Sequence, residues 1–431
     1  MIVQKVKCTA EFIPIRRVLK TFFELPQMYE KTMTYYNSLI KNESIISHFV
    51  QGAFWREKLS TFGNRITLPL FLYYDDYEPN NPLSSHAGTS KCGAIYVSTI
   101  LPPEIESKLY SVFLFVLVNT LDYKVFKNEI IFHEVLKELA FLENEGITIE
   151  HSTGSTHLYF SLALVLGDNL DIHSVLGFVE GFNAHFYCRF CLTENKFVND
   201  ENNFNEMNIH LWTKDEYEKF GLQYGVCEKG VFNILRGFHV TENLSVDAMH
   251  DLLEGICQYD LSKILNHFIV SGFFSVEQLN DGISGMQFKC MNKPPEISKQ
   301  HLERNKLKMS SAEMLSLMTY LGLIVGDLIP QDNDYWRLYI LLKRILDIVR
   351  LKHYHPDIYH YFGVLIEEYL MLLNKLFPDN SIKPKHHFLV HYPRIMYLMG
   401  PLWKLSSMKY ERKHQSGKAV SRVARCRINV C

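Results

Sequence analysis

Cysteine is sparse in this chain: nine residues in 431, an odd number. That density excludes a disulfide scaffold and points to a reducing compartment, with thiols or metal sites in place of bridges. Charge of one sign is lacking as well. The 45 Lys+Arg nearly balance the 47 Asp+Glu, leaving a net charge of −2. A basic tail protein is thereby excluded, but a local basic patch for nucleic acid is not. No apolar run follows Met1, so no signal peptide is expected. The most apolar candidate stretch, Leu109–Asn119, is far short of a membrane span, so no membrane partner is expected. Internal repeats, low-complexity tracts and a compact HExxH metal motif are all missing. What is present is 47% hydrophobic residues and 13% aromatics, ample for a sizeable core and incompatible with global disorder. The length fits two or three domains, or one core with a large insertion.

Hydrophobic periodicity divides the chain. Residues 11–60 read helical, with a break at Pro26 between Val18 and Tyr36 and a second amphipathic stretch from Ile45 to Leu59. Arg65–Tyr74 (RITLPLFLYY) is β-branched and aromatic and reads as a buried strand ending before Asp75 and Asp76. Cys92–Ile100 and Tyr110–Asn119 read as strands, Phe126–Glu143 as a helix, and His157–Leu166 as a strand followed by Gly167-Asp168. Strands mixed with a helix, with acids at strand ends, form an α/β pattern. The segment 195–235 is polar and irregular. From Val246 to Phe377 the period turns helical, as in Met249–Phe268, Ser311–Ile329 and Asp334–Leu351. The last segment, His386–Arg427, is helical and increasingly basic.

Four groups of residues bear chemistry. Asp75 and Asp168 close apolar strands, and Glu411 lies in MKYERKH on an expected helix. Carboxylates gathered in this way hold hard divalent cations such as Mg²⁺; for a single Asp at a strand end, a turn or helix cap is the plainer explanation. Cys188-Arg-Phe-Cys191 is half a zinc site or a redox pair, and His387 with His391 offers H-x3-H on one helix face, His386 being the competitor for His387. Two unrelated pairs remain the alternative. Asp247, His250, Asp251 and Glu254 gather at a helix start, where a capped helix with a buried histidine is favoured over a ligand pair. Lys409, Arg412, Lys413, His414, Lys418, Arg422, Arg425 and Arg427 suit phosphate contact or a solvated basic face.

The order of these motifs carries a resemblance. FLYYDDYEPNNPL supplies an acid after a strand. LGDNLDIHSVLGFVEGFNAHFYCRFC supplies a second acid with a CxxC after it. A long helical stretch follows, and HFLVHYP then precedes the Glu of MKYERKH. This arrangement resembles the RNase H-like catalytic domain of DDE transposases of the CACTA/Mirage/Chapaev type. DAMHDLLEGI resembles the D-x-M-H-x-x-E stretch of plant CACTA (En/Spm) transposases, and GPLWKLSSMKYERKH resembles their GPV…M-x-P-x-E-R ending. The CxxC…HxxxH arrangement is similar to the split zinc site of the V(D)J recombinase catalytic subunit. The overall match is to transposase-like proteins scattered through insect and other animal genomes, over roughly residues 60–431.

The resemblance implies an RNase H-like mixed sheet with flanking helices, interrupted by a large, mainly helical insertion. Its expected parts are an N-terminal helical segment (1–60), a catalytic core (61–195), the insertion (196–380) and a C-terminal helical part of the core (381–431). It implies Asp75, Asp168 and Glu411 as catalytic acids binding Mg²⁺ or Mn²⁺, with Asp76 an ambiguous neighbour of Asp75. Cys188, Cys191, His387 and His391 match the ligands of a structural Zn²⁺. Asp247 and His250 match the family's D-x-x-H, expected to support the site from behind or to contact a DNA flap. The implied activity is phosphodiester cleavage and strand transfer on transposon ends or target DNA, by a homo-oligomer in the nucleus. No zinc-finger or helix-turn-helix signature precedes residue 60, and the chain stops soon after Glu411. A partial or domesticated element, binding DNA or protein without chemistry, is therefore the alternative.

Overall fold

A computed structural model describes residues 8–78, 91–289, 291–378 and 382–423, with side chains as far as 419. Its centre is a six-stranded mixed sheet in the order β1-β4-β3-β2-β6-β5. The strands are β1 (Ala10–Phe12), β2 (Thr67–Tyr77), β3 (Cys92–Thr99), β4 (Phe113–Asn119), β5 (Ile147–His151) and β6 (Gly154–Leu166). Only β2 and β6 run parallel; the other pairs are antiparallel. β2 and β3 are continuous apolar runs because they lie at the sheet centre with helices against them, and every residue of β3 is buried. β5, at the edge, alternates buried and exposed residues along its first four positions, as a half-covered strand must.

Two elements of the sheet differ from expectation. β1 and β5 read as helix and loop in the sequence, since three residues of strand, or five at an edge, leave almost no periodic signal. β2 does not stop at Tyr74. It continues through Asp75 and Asp76 to Tyr77, because β3 pairs with it as far as Tyr77↔Cys92. Its parallel partner β6 has ended by Leu166, opposite Tyr73, so Asp75 lies within a strand whose β6 side has fallen open. The helix expected over Phe126–Glu143 is broken at Phe132 into Asn128–Ile131 and His133–Asn144. Of the described cysteines, Cys8, Cys188, Cys191, Cys227 and Cys257 are free thiols, whereas Cys92 is disulfide-bonded, against the expectation of thiols alone.

The helices that position the site are α1 (Ile15–Phe23), α2 (Met28–Lys41), α3 (Ala53–Thr61), α4 (His133–Asn144), α5 (Asn169–Leu176), α6 (Cys257–Val270), α7 (Ser311–Val325), α8 (Asp334–Val349), α9 (Ile358–Leu376), α10 (Pro384–Val390), α11 (Tyr392–Met399) and α12 (Met408–Val423). α1 buries Ile15, Leu19, Phe22 and Phe23 against the sheet, with Phe22 edge-on to Phe113 at 5.0 Å and Phe23 tilted over Phe160 at 5.9 Å. α12 reaches β2 and β3 through Tyr410, whose ring stacks on Tyr73 at 4.4 Å and whose hydroxyl bonds Ser98 at 2.7 Å.

Among the described residues, 246–377 carry helices and no sheet strand, apart from a single bridge between Tyr354 and Ile46. Ahead of α6 the chain forms a π-helix, Met249–Ile256, where an ordinary α-helix was expected. Ser311–Leu328 has the length and composition of a membrane span, a stretch the sequence reading had passed over for Leu109–Asn119. It buries Met314, Leu317, Met318, Leu321 and Val325 on one side, while Leu323 and Leu328 are exposed.

Candidate acid cluster and metal centre

The open end of the β2/β6 pair collects carboxylates. Asp75 and Asp168 each stand two residues beyond the last matched pair, Tyr73↔Leu166, on neighbouring parallel chains. A side chain at Gly167 would meet the Tyr74 carbonyl at 2.9 Å, so glycine lets the chain leave β6 close against β2. Asp168 then caps α5, its Oδ1 accepting from the Asp171 amide at 2.7 Å. The plainer reading of an Asp at a strand end therefore holds for one of its two oxygens. Asp75 Oδ2 accepts from the Tyr73 hydroxyl at 3.0 Å, and the His414 Nε2 stands 3.8 Å away. Glu411, on α12, contacts the cluster through His250, whose Nε2 lies 3.5 Å from its Oε1.

Crowded negative charge shows in the acidities. Burial first, then the charges of Asp168 and Asp76, pushes the Asp75 carboxyl up to about 6 despite the Tyr73 hydrogen bond. Glu411 is pushed up to about 7 by burial, against the charge of His250 and with that of Asp75, Asp247 and Glu254. The sequence reading missed Asp171, which burial and then Asp168, Asp75 and Asp76 raise to about 9. Its signal was present in DNLD: a second acid one helical turn after the cap faces the same end of the sheet.

Asp247 and His250 belong to the same assembly. Asp247 is 1% exposed. Its Oδ1 accepts from the Met249 and Ser407 amides at 3.1 and 3.2 Å, and its Oδ2 from the Ser407 hydroxyl and His250 Nδ1, both at 2.5 Å. It therefore ties the start of the π-helix to the start of α12. Burial opposes a charge on His250, but the hydrogen bond and charge of Asp247, with Glu411 and Asp168, raise it to about 9. Glu254 Oε2 lies 4.0 Å from the same ring. The imidazolium thus stands between Asp247 on one side and Glu411 on the other. Lys385 Nζ donates to the His250 carbonyl at 2.5 Å.

The second centre is the pairing of CxxC with HxxxH. Cys191 Sγ lies 3.2 Å from His387 Nε2, and Cys188 Sγ 3.6 Å from His391 Nε2. All four residues are buried, and their donor atoms lie within 4.8 Å of one another. A tetrahedron with bonds of about 2.3 Å to sulfur and 2.0–2.1 Å to nitrogen has sulfur–nitrogen edges of about 3.5 Å, so this buried Cys₂His₂ cluster could hold a metal such as zinc. Burial favours the neutral thiol, yet the Cys188 hydrogen bond and the imidazoles of His387 and His391 hold Cys191 well below the usual thiol range. His391 gives its other nitrogen to Glu206 at 2.5 Å, and Glu206 also accepts from Arg394 Nε at 2.9 Å, the outer support usual for a ligating histidine. The competitor His386 points elsewhere: its Nε2 lies 2.8 Å from Asp260.

Among the described residues, the Cys₂His₂ set is the one group of three or more such side chains packed this closely. The carboxylates of Asp75, Asp168 and Glu411 converge more loosely. The basic residues of α12 divide. The Lys413 Nζ donates to the Leu109 carbonyl at 2.8 Å, His414 is buried among Tyr73, Tyr77 and Tyr96, and Lys409 packs beside Glu106 and Lys404. Those three are engaged inside the protein, against the expectation of phosphate contact, while Arg412 is exposed. Arg422, Arg425 and Arg427 lie outside the described side chains. Neither a comparison with protein-family models nor one with curated proteins finds a match for this chain.

Proposed function

We propose that the protein is a metal-dependent DNA endonuclease and strand transferase of the DDE transposase type, with an RNase H-like core interrupted by a helical insertion. The observation that carries this reading is the mutual electrostatic influence of Asp75 inside β2, Asp168 just past β6 and Glu411 on α12. The donor set fits Mg²⁺ or Mn²⁺: carboxylate oxygens only, with the pKa values of Asp75 and Glu411 raised by burial first and then by neighbouring carboxylates. A pair of such ions, when bound, lowers the pKa of water and offsets charge on the leaving oxygen.

The protein's own residues do the rest. Asp75 in β2 and Asp168 just past β6 would hold the ions, and the Tyr73 hydroxyl donates to Asp75 Oδ2 and so restrains its carboxylate. Glu411 completes the set, steered by His250, which Asp247 keeps protonated and in place. Water, and then a DNA 3′-hydroxyl, attacks a phosphodiester in line. The new phosphorus–oxygen bond forms as the bond to the leaving oxygen breaks. Cys188 and Cys191 with His387 and His391 would hold a zinc ion that ties the segment after Asp168 to the segment before Glu411 and so supports the position of the third acid. The setting is a nuclear one, with a homo-oligomer on transposon ends or target DNA.

A second reading, a transposase-derived DNA- or protein-binding protein without chemistry, draws on one observation: Asp168 gives an oxygen to capping α5. Plasmid nicking separates the two. Wild-type protein with Mg²⁺ or Mn²⁺ is expected to nick DNA, and Asp75→Asn, Asp168→Asn and Glu411→Gln to lose nearly all of that activity. No nicking by wild type, or full nicking by Glu411→Gln, would overturn the catalytic reading.

A further inference from the structure

Tyr259, on α6, sits among lysines from three separate segments. Lys383 Nζ lies 3.6 Å from the centre of its ring and Lys306 Nζ 5.5 Å. Lys263, one turn along α6, is 4% exposed. The carboxylate opposite these ammonium groups is Asp260, whose Oδ1 is 3.7 Å from Lys263 Nζ. Asp260 is already shared: its Oδ2 accepts from the Tyr369 hydroxyl and lies 2.8 Å from His386 Nε2. Three ammonium groups therefore stand against one buried, heavily engaged carboxylate. Lys383 carries this imbalance: burial first, then Lys263 and Lys306, lowers its pKa against the pull of Asp260. Three ammonium groups with one carboxylate leave a local positive excess that an anion can offset.

The place of the cluster says which anion. His250 and Tyr259 lie on one continuous helical segment, roughly 13 Å apart along its axis at about 1.5 Å per residue. Lys385, next but one to Lys383, crosses that segment to the His250 carbonyl. The lysine cluster and the His250 that faces Glu411 are thus held on the same helical segment, bridged by the 383–385 stretch. The acids repel a polyanion, and Lys409, Lys413 and His414 are engaged within the fold. Beside the exposed Arg412 of α12, this cluster is a further source of positive charge among the described residues.

We propose that Lys306 and Lys383, backed by the buried Lys263, form a binding site for backbone phosphates of DNA extending from the acid cluster. The site rests on the nuclease reading for the identity of its ligand. Lys306 and Lys383 contact the phosphate oxygens; Lys263 adds field from behind. The contact is to the backbone and carries no base preference.

The test is fluorescence anisotropy of the full-length, zinc-loaded protein with a labelled DNA duplex over a range of salt, without Mg²⁺ or Mn²⁺ so that binding is read apart from cleavage. Removing two phosphate contacts is expected to lower the log–log salt slope by nearly 2, at about 0.9 per contact. Lys306→Gln/Lys383→Gln is expected to show that drop and weaker binding, on several unrelated sequences alike. Lys306→Arg/Lys383→Arg is expected to bind as wild type. Lys343→Gln, whose lysine pairs with Asp347 on α8, is expected to leave the slope unchanged. An unchanged slope in the double Gln variant overturns the site even if the protein nicks DNA. Loss in the Arg variant, with a matching fall in melting temperature, overturns it in favour of a structural role. Wild type that ignores DNA but binds tripolyphosphate overturns it in favour of a free anion. A slope change without any nicking leaves the site standing and removes the nuclease reading.

Discussion

Asp247 concentrates more of the site on one side chain than any of the three acids does. Its two oxygens serve two amides, a hydroxyl and an imidazole while almost wholly buried. Asp247→Ala leaves those donors unpaired in a dry environment. It is expected to cost about 3 kcal/mol in urea denaturation, and to return the His250 proton toward the ordinary histidine range in an NMR titration. A variant that keeps both its stability and the raised His250 would sink this account. The pH dependence of stability follows from the same neighbourhood. The raised carboxyls of Asp75, Glu411 and Asp171 favour the fold while protonated, so their contribution is lost as pH rises through about 6, 7 and 9. His250, raised to about 9, contributes fully below its ordinary value and loses that contribution as pH passes 9. His48, His173 and His414, lowered by burial to about 3, 3 and 4, act oppositely, helping above the ordinary histidine value and failing as the solution becomes acid. From about pH 6.5 to 9 the contributions of Glu411, Asp171 and His250 are lost, against the lowered Cys191 thiol, which gains over the same range, so melting temperature is expected to fall where the acid cluster dominates, in buffer free of divalent cations. Mg²⁺ or Mn²⁺ at the carboxylates is expected to flatten that fall, and a flat metal-free profile would count against the crowded cluster.

At the scale of elements, the π-helix Met249–Ile256 does most to shape the site. Its wider turn presents His250 toward Glu411 and leaves Gly255 beneath Lys385. A Cβ at Gly255 would lie 2.5 Å from Lys385 Cδ and 2.8 Å from the His250 carbonyl oxygen. Gly255→Ala is therefore expected to cost about 1–3 kcal/mol by overpacking, and to lower nicking with it, because Lys385 must leave the His250 carbonyl. Unaltered stability on chemical denaturation would refute this. None of this was legible in DAMHDLLEGI, since π and α turns share the same apolar spacing within eight residues. The sheet centre was legible because β2, β3, β4 and β6 are apolar runs too long and too β-branched for loops. The pairing order of those strands was not, because a strand's partner is set by distant chain and not by its own residues. The same division runs through the candidate site. Cys188, Cys191, His387 and His391 could be picked out because each pair has ligand spacing by itself. Glu206, which supports His391, and Ser407, which supports Asp247, have no local pattern, and only the fold brings them in.

For the whole molecule, the Cys₂His₂ cluster is where the segment after β6, the loop bearing Glu206 and the helix pair α10–α11 meet. Zinc content of purified protein is expected to be one per chain, and to be lost in Cys188→Ser and His391→Ala alike. Glu206→Gln is expected to weaken zinc by roughly 10–100-fold while leaving the four ligands in place. Wild-type zinc affinity in His391→Ala would show that the two pairs do not share an ion. The N-terminal helices lock onto the same region: a Cβ at Gly52, at the start of α3, would sit 2.2 Å from the Leu398 carbonyl oxygen on α11. Cys188 and His391 are 203 residues apart, and that separation has a meaning in time. At about 5–20 residues per second, a ribosome needs roughly 10–40 s to go from one to the other. Throughout that interval the sheet and two of its acids exist, while the thiol pair has no histidines to meet and the third acid has not been made. A nascent chain is therefore open to oxidation or to capture of a stray metal at Cys188 and Cys191. Chains stalled on the ribosome before α10 are expected to alkylate at both thiols within the dead time of the reagent, and released zinc-loaded protein to resist. Equal protection in the stalled chain would mean that the cysteines find shelter before their histidines are synthesised.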